Sequence, residues 1–222
     1  QLFGTVHLFI LAAIPLIGGL LVWWTKYYPP HSRRIRFSMG TAILLNELVW
    51  YGYNIYQGWF RFPDVLPLHL CDLTLWLTII SAFTLNLRCF ELAYYFGLAG
   101  TSMAILTPDV WAPFPSYPTV QFFLAHGMIV ATLLFMSWGK ICRPRPKSFL
   151  RAFLLLNLYT VVIALFNALF DTNYMYLCRK PVGFSILHYF GPWPLYIVVS
   201  EFVALILFSL LWLPFRKMTP RQ

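Results

Sequence analysis

Charge is what this chain lacks most. Lys, Arg, Asp and Glu make up 10% of its 222 residues, against about 25% in an ordinary soluble domain. That leaves too little polar surface to dissolve a globular fold. With a mean hydropathy of +0.70 the chain reads as an integral membrane protein, a single bundle over 1–222 with no separate soluble domain. Cysteine motifs are missing too: the four cysteines show no metal spacing and no CxxC. No internal repeat is visible, which counts against the inverted halves of many transporters. No basic stretch precedes the first apolar run, so that run is read as a span and not as a secretory signal. Nucleic acid is not an expected partner despite the net charge of +9. In a membrane protein such an excess reflects Lys and Arg in cytoplasmic loops.

What is there is apolar sequence in long runs. A spanning helix needs about 20 apolar residues, and seven segments qualify: approximately 5–25, 37–57, 66–85, 90–107, 119–139, 150–170 and 193–213. The expectation is an all-α, multi-pass protein of the cell membrane with seven transmembrane helices. The fourth segment is the shortest, and a six-helix alternative would make it re-entrant. Of the 16 basic residues, 13 fall after the first helix, between the third and fourth, between the fifth and sixth, or after the seventh. Arg61, Arg179 and Lys180 fall on the other side. The positive-inside rule then places the N-terminus outside and the C-terminus in the cytoplasm. Two outer loops, 107–119 and 178–194, are rich in proline and aromatics. They read either as a lid over an outward cavity or as a plain extracellular cap.

Polar groups at membrane depth are costly and turn inward. His69, Cys71 and Asp72 sit at the outer end of the third segment, which starts with LPLHLCDL. Gln121 and His126 lie in the outer half of the fifth, and Asp109, Asn167, Asp171 and Asn173 lie near outer helix ends. Glu47 lies mid-way along the second segment and Glu201 in the outer half of the seventh. Several helices thus aim acids, bases and amides at one outward-opening volume. The alternative is a polar cluster that pins helices by hydrogen bonds. Within the cluster, His69 and Asp72 share a face, whereas Cys71 points about 200° from His69. A base for Cys71 must therefore come from another helix, with His126 the best placed. Pro67 suits the first helical position. From that start Cys71 lies past the first turn, where the helix dipole would favour its thiolate only weakly. Cys89 and Cys142 read as inert small hydrophobes, and a Cys71–Cys178 disulfide is disfavoured.

The runs LPLHLCDL (66–73), FELAYYFGLAGTSMAILTPD (90–109), FPSYPTVQFFLAHG (114–127), DTNYMYLCRKP (171–181) and GPWPLYI (191–197) resemble the YwaF-like family of bacterial integral membrane proteins. That family is similar to a eukaryotic transmembrane acyltransferase of ether phospholipids, which moves an acyl chain from a phospholipid to a lysophospholipid. The resemblance implies that Cys71 matches an essential cysteine. His126 as base follows by analogy with other multi-pass lipid enzymes.

Three functions are weighed. The first is a phospholipid acyl-transferring enzyme without metal or other cofactor, acting on membrane phospholipid or lysophospholipid. Cys71 is its nucleophile and His126 its base, Asp72 or Asp171 orients the imidazole, and Asn173 or His69 binds the oxyanion. Asp109, Glu47 and Glu201 complete the substrate-binding set. A metal-dependent hydrolase with His69, Asp72, His126 and Asp109 as ligands is a weaker enzyme variant. The second is a small-solute transporter or receptor-like binding protein, and the third a structural or accessory subunit.

Overall fold

The computed structural model describes residues 3–216, which are helical, with no strand among them. Hydrocarbon offers backbone N–H and C=O groups no partners, so each spanning segment must pair them internally. Helices α1 (Thr5–Tyr27) and α2 (His31–Tyr56) meet at the Pro29–Pro30 turn. Helix α3 (Leu70–Thr84) is followed by α4 (Leu87–Tyr95), which runs through a π-helical stretch, Phe96–Thr101, into α5 (Ser102–Leu106). Helices α6 (Tyr117–Trp138), α7 (Ser148–Phe170) and α8 (Leu195–Trp212) complete the bundle. Five of these segments are long and apolar enough to cross a membrane: α1, the α4–α5 rod, α6, α7 and α8. The rod is one continuous 20-residue span of Leu87–Leu106. The chain is a multi-pass membrane protein.

Two boundaries depart from the expected ones. Helix α2 starts at His31, six residues early, because Pro30 sits at its N-cap and the arginines that follow are good helix formers. Helix α3 starts at Leu70, four residues late, and is only 15 residues long. Pro67 is therefore not its first residue. Lys217 and Arg221, two of the basic residues used for orientation, lie outside the described residues.

Helix α6 is the buried centre. Helix α1 lies against it at two glycines: a Cβ on Gly127 would sit 3.2 Å from Ile14, and one on Gly18 3.2 Å from Leu134. Small residues let membrane helices approach where no hydrophobic effect drives them together. The outward faces of α1, α7 and α8 are apolar and exposed, as at Leu20, Leu154 and Ile206, which is what lipid requires and water would oppose. The core is aromatic, with Phe90, Tyr94, Tyr95, Phe96, Phe135 and Phe208 fully buried. Its tyrosine hydroxyls are partnered: Tyr94 donates to the Leu211 carbonyl at 3.0 Å, and Tyr95 pairs with Ser148 Oγ at 2.9 Å.

The two ends of the bundle are built differently. At the end carrying the short α1–α2 and α3–α4 turns, the buried Glu91 accepts from Arg145 three times: from Nε at 2.9 Å, Nη2 at 2.7 Å and the backbone N–H at 2.8 Å. This pins the 139–147 loop to α4. Nearby, Arg36 donates to the Ala82 carbonyl. At the other end three longer loops, 57–69, 107–116 and 171–194, fold over the helices. Asn167 anchors the last of them, donating to the Tyr174 carbonyl at 3.0 Å and accepting from the Tyr174 N–H at 2.9 Å. Tyr174 then donates to the Pro63 carbonyl at 2.7 Å, and Tyr159 to that of Leu68 at 3.0 Å. These ties fix the chain just before α3.

Candidate active site

His69 is the N-cap of α3, and its backbone N–H donates to Asp72 Oδ2 at 3.0 Å. This is the return arm of a capping box, in which an acid three residues into the helix satisfies an orphan N–H. Starting α3 at Leu70 makes Cys71 the second helical residue, inside the first turn. The expectation that the dipole hardly reaches Cys71 is thereby corrected, since the positive end of a helix acts within that turn. Asp72 Oδ1 lies 4.0 Å from Cys71 Sγ. Asp72 thus serves the backbone of its own cap and orients no imidazole.

The two histidines are held in defined states by backbone groups. His69 Nδ1 accepts the Met175 N–H at 3.3 Å, so in the neutral ring the proton sits on Nε2. His126 Nδ1 lies 2.8 Å from the Phe122 carbonyl, which can only accept, so Nδ1 carries the proton and Nε2 keeps its lone pair. The His126 ring also stacks on Phe122, with centroids 4.1 Å apart. The orienting group expected to be Asp72 or Asp171 is therefore the carbonyl one turn below.

Cys71, Asp72, His69 and His126 line one chamber of about 530 Å³. Glu47, Gln121 and Asp109 also face it, while Leu75, Met103 and Ile129 supply apolar wall. The 107–116 loop and the 171–194 loop close over it, meeting where the Tyr176 hydroxyl donates to Asp109 Oδ2 at 2.8 Å. Burial, and then the bond to Asp109, push the Tyr176 phenol above its usual range, so it remains a proton donor at neutral pH. Both readings of these loops meet here, because the cap contributes chamber wall through Tyr176, Ile186 and Leu187.

Three expected site residues are not brought to the chamber. Asp171 is exposed, in a left-handed conformation (φ 52°) that caps the end of α7. Asn173 serves its own loop, accepting the Cys178 and Arg179 N–H groups at 3.1 Å and donating to the Arg179 carbonyl at 2.9 Å. Glu201 is turned to α7, where Asn157 donates to it at 2.9 Å. The Asn173 side chain is committed to loop backbone and that of Glu201 to helix pairing, while Asp171 closes α7 through its backbone N–H. Among the described residues no three His, Cys, Asp or Glu side chains converge as metal ligands would. The four cysteines are free, with Cys178 exposed and unbonded to Cys71.

Two chamber residues had no signal strong enough to single them out. Thr101 is 2% exposed and its hydroxyl has no partner. Other helix-buried threonines here donate to the carbonyl four residues back, Thr74 at 2.6 Å and Thr78 at 2.7 Å. Thr101 ends the π-helical stretch, where that pairing is lost and the hydroxyl is left to the chamber. Tyr176 lies in a loop whose folding no local pattern predicts. A second, almost wholly apolar cavity of about 180 Å³ adjoins the chamber and shares Leu70, Gly100, Met103, Ile186, Leu187 and Ser200 with it.

Residues 2–212 match the TMEM164 family. The chain belongs to that family. As a transmembrane family, TMEM164 agrees with the multi-pass architecture and with a likeness to a eukaryotic membrane protein. No curated protein and no solved structure matches the chain.

Proposed function

We propose that this TMEM164-family protein is a phospholipid acyl-transferring enzyme, related to the YwaF-like bacterial proteins, with Cys71 as nucleophile and His126 as base. The observation that carries this reading is that a thiol in the first turn of α3 and an imidazole with its Nε2 lone pair unengaged line one chamber. His126 Nε2 takes the thiol proton as Cys71 Sγ adds to the ester carbonyl of a phospholipid. The tetrahedral oxyanion takes a hydrogen bond from His69 Nε2–H. The C–O bond then breaks, the lysophospholipid alkoxide leaves with the proton from His126, and an acyl-cysteine remains. A lysophospholipid hydroxyl, or water, attacks that thioester by the same steps in reverse.

The chamber opens at the end opposite Glu91 and Arg145. With seven spans and the N-terminus outside, that end is the outer face of the cell membrane, and the enzyme works on outer-leaflet lipid. Turnover of a labelled phospholipid by purified protein in nanodiscs tests the reading. Cys71→Ala is expected to abolish turnover and to remove any acyl mass found on Cys71 in the native protein. Full turnover by Cys71→Ala would overturn covalent catalysis and favour a chamber that only binds its ligand.

A further inference from the structure

The apolar cavity beside the chamber is walled by α7, α8, the α4–α5 rod and the Ile186–Phe190 turn. Its deeper wall is made by Phe96, Leu156, Val203, Leu207 and Phe208. Among the described residues the one polar side chain that reaches it is Ser200, whose hydroxyl already donates to the Tyr196 carbonyl at 2.7 Å. Nothing there holds water, because an ordered water needs two or more polar partners. What such a lining accepts is hydrocarbon and not water. The passage to the chamber runs beside Gly100, where a Cβ would meet Leu70 Cδ2 at 3.3 Å. Leu70 directly precedes Cys71, so a chain entering past Gly100 leaves its polar end next to the thiol.

We infer that this cavity is the acyl-chain site, taking the hydrocarbon of the ester whose carbonyl faces Cys71, with Gly100 and Ala204 setting how much chain it accepts. The inference rests on the acyl-transfer reading for what the chain is attached to, but the site itself can be tested without turnover. Phe96 and Phe208 are each 2% exposed, out of reach of bulk lipid. Phe202, on the opposite side of α8, is 64% exposed and faces that lipid.

The probe is a phosphatidylcholine with a diazirine near the end of one acyl chain, photolysed with the full chain in nanodiscs and mapped by mass spectrometry. Label is expected on Phe96 or Phe208 as well as on Phe202. In Ala204→Phe the label on Phe96 and Phe208 should fall several-fold while that on Phe202 stays. If Ala204→Phe does not accumulate, Val203→Trp fills the same wall. Label confined to Phe202, or cavity label indifferent to the filling variant, overturns the site. A second readout compares octanoyl and oleoyl esters. Filling the cavity should cost oleoyl turnover about tenfold or more relative to octanoyl turnover. Equal loss for both chains overturns the ruler. Absence of turnover with every ester, alongside label on Phe96, would defeat the enzyme reading and leave the hydrocarbon site standing.

Discussion

His69 and His126 face the same chamber in opposite tautomers. The Met175 N–H fixes one ring with its proton on Nε2, and the Phe122 carbonyl fixes the other with a lone pair there. Each is set by a backbone group, so neither state depends on a mobile side chain. A donor and an acceptor are thus both supplied without any charge being buried.

That difference predicts different losses. His126→Gln keeps a polar side chain but cannot take a proton, so kcat should fall about 10²–10⁴-fold, the usual worth of a general base. His69→Gln can still donate to an oxyanion and should lose less, while His69→Ala should lose about as much as removal of one oxyanion donor, about 10²–10³-fold. Steady-state kinetics on a labelled phospholipid measures all three. Indistinguishable kcat values for His126→Gln and His69→Gln would remove the assignment of roles.

Arg145→Met should destabilise the bundle. Glu91 is 2% exposed, and removing the partner of a buried charge costs about 3–5 kcal/mol. The lower end applies, because Arg151 stands 3.7 Å away and the Arg145 N–H still donates. Glu91→Gln removes the charge but keeps the shape, and should cost less. Thermal unfolding in detergent orders the two, with the melting point of Arg145→Met several degrees the lower. The reverse order would show that the pair is not holding the 139–147 loop.

Where the sequence pattern was strong, it foretold the all-helical, multi-pass class. Seven apolar runs became six helices and one rod, of which five segments are long and apolar enough to cross a membrane. The exceptions were charged or capped ends. Arg33, Arg34 and Arg36 read as loop but are the helical start of α2, since helix propensity does not depend on hydropathy. Pro67 read as a first helical residue, yet the Asp72 carboxylate moved the cap to His69. At the site, the polar residues of α2, α3 and α6 were legible because lipid excludes them from an outward face. Asn173 and Glu201 turn elsewhere because depth demands a partner but does not say which: the loop backbone and Asn157 supply it, and Asp171 is exposed. The Tyr176–Asp109 and Arg145–Glu91 pairings join residues 67 and 54 positions apart, and no spacing rule reaches that far.

Tyr176→Phe should loosen the cap without unfolding the bundle. The lost bond is exposed and worth about 0.5–1.5 kcal/mol, enough to raise local opening without moving the global transition. Hydrogen exchange over 174–187 should quicken while α6 stays protected. The pH dependence has a definite sign. The phenol is raised in the folded protein, so its contribution is fully present below its unfolded value of about 10 and is lost as pH rises beyond that. Cap protection, corrected for intrinsic exchange, should therefore be level from neutral pH to about 9. A fall through neutral pH would show that another group holds the cap.

The proposed placement of the chamber at the outer face predicts which loops a membrane-impermeant maleimide can reach. Cys178 is exposed on the cap and would react by itself, so the experiment needs a Cys178→Ser background. On that background Val182→Cys, at a fully exposed position in the same loop, should label from outside intact cells. Lys140→Cys, in the turn after α6, should label only after permeabilisation. Cys89 and Cys142 supply the internal check, because both lie near the Lys140 end and should stay silent in intact cells. Of the 16 basic residues, 13 flank one side, and short basic loops resist translocation. Labelling at Lys140→Cys from outside would invert the bundle. The chamber, with Cys71 and both histidines, would then open to the cytoplasm and draw its lipid from the inner leaflet.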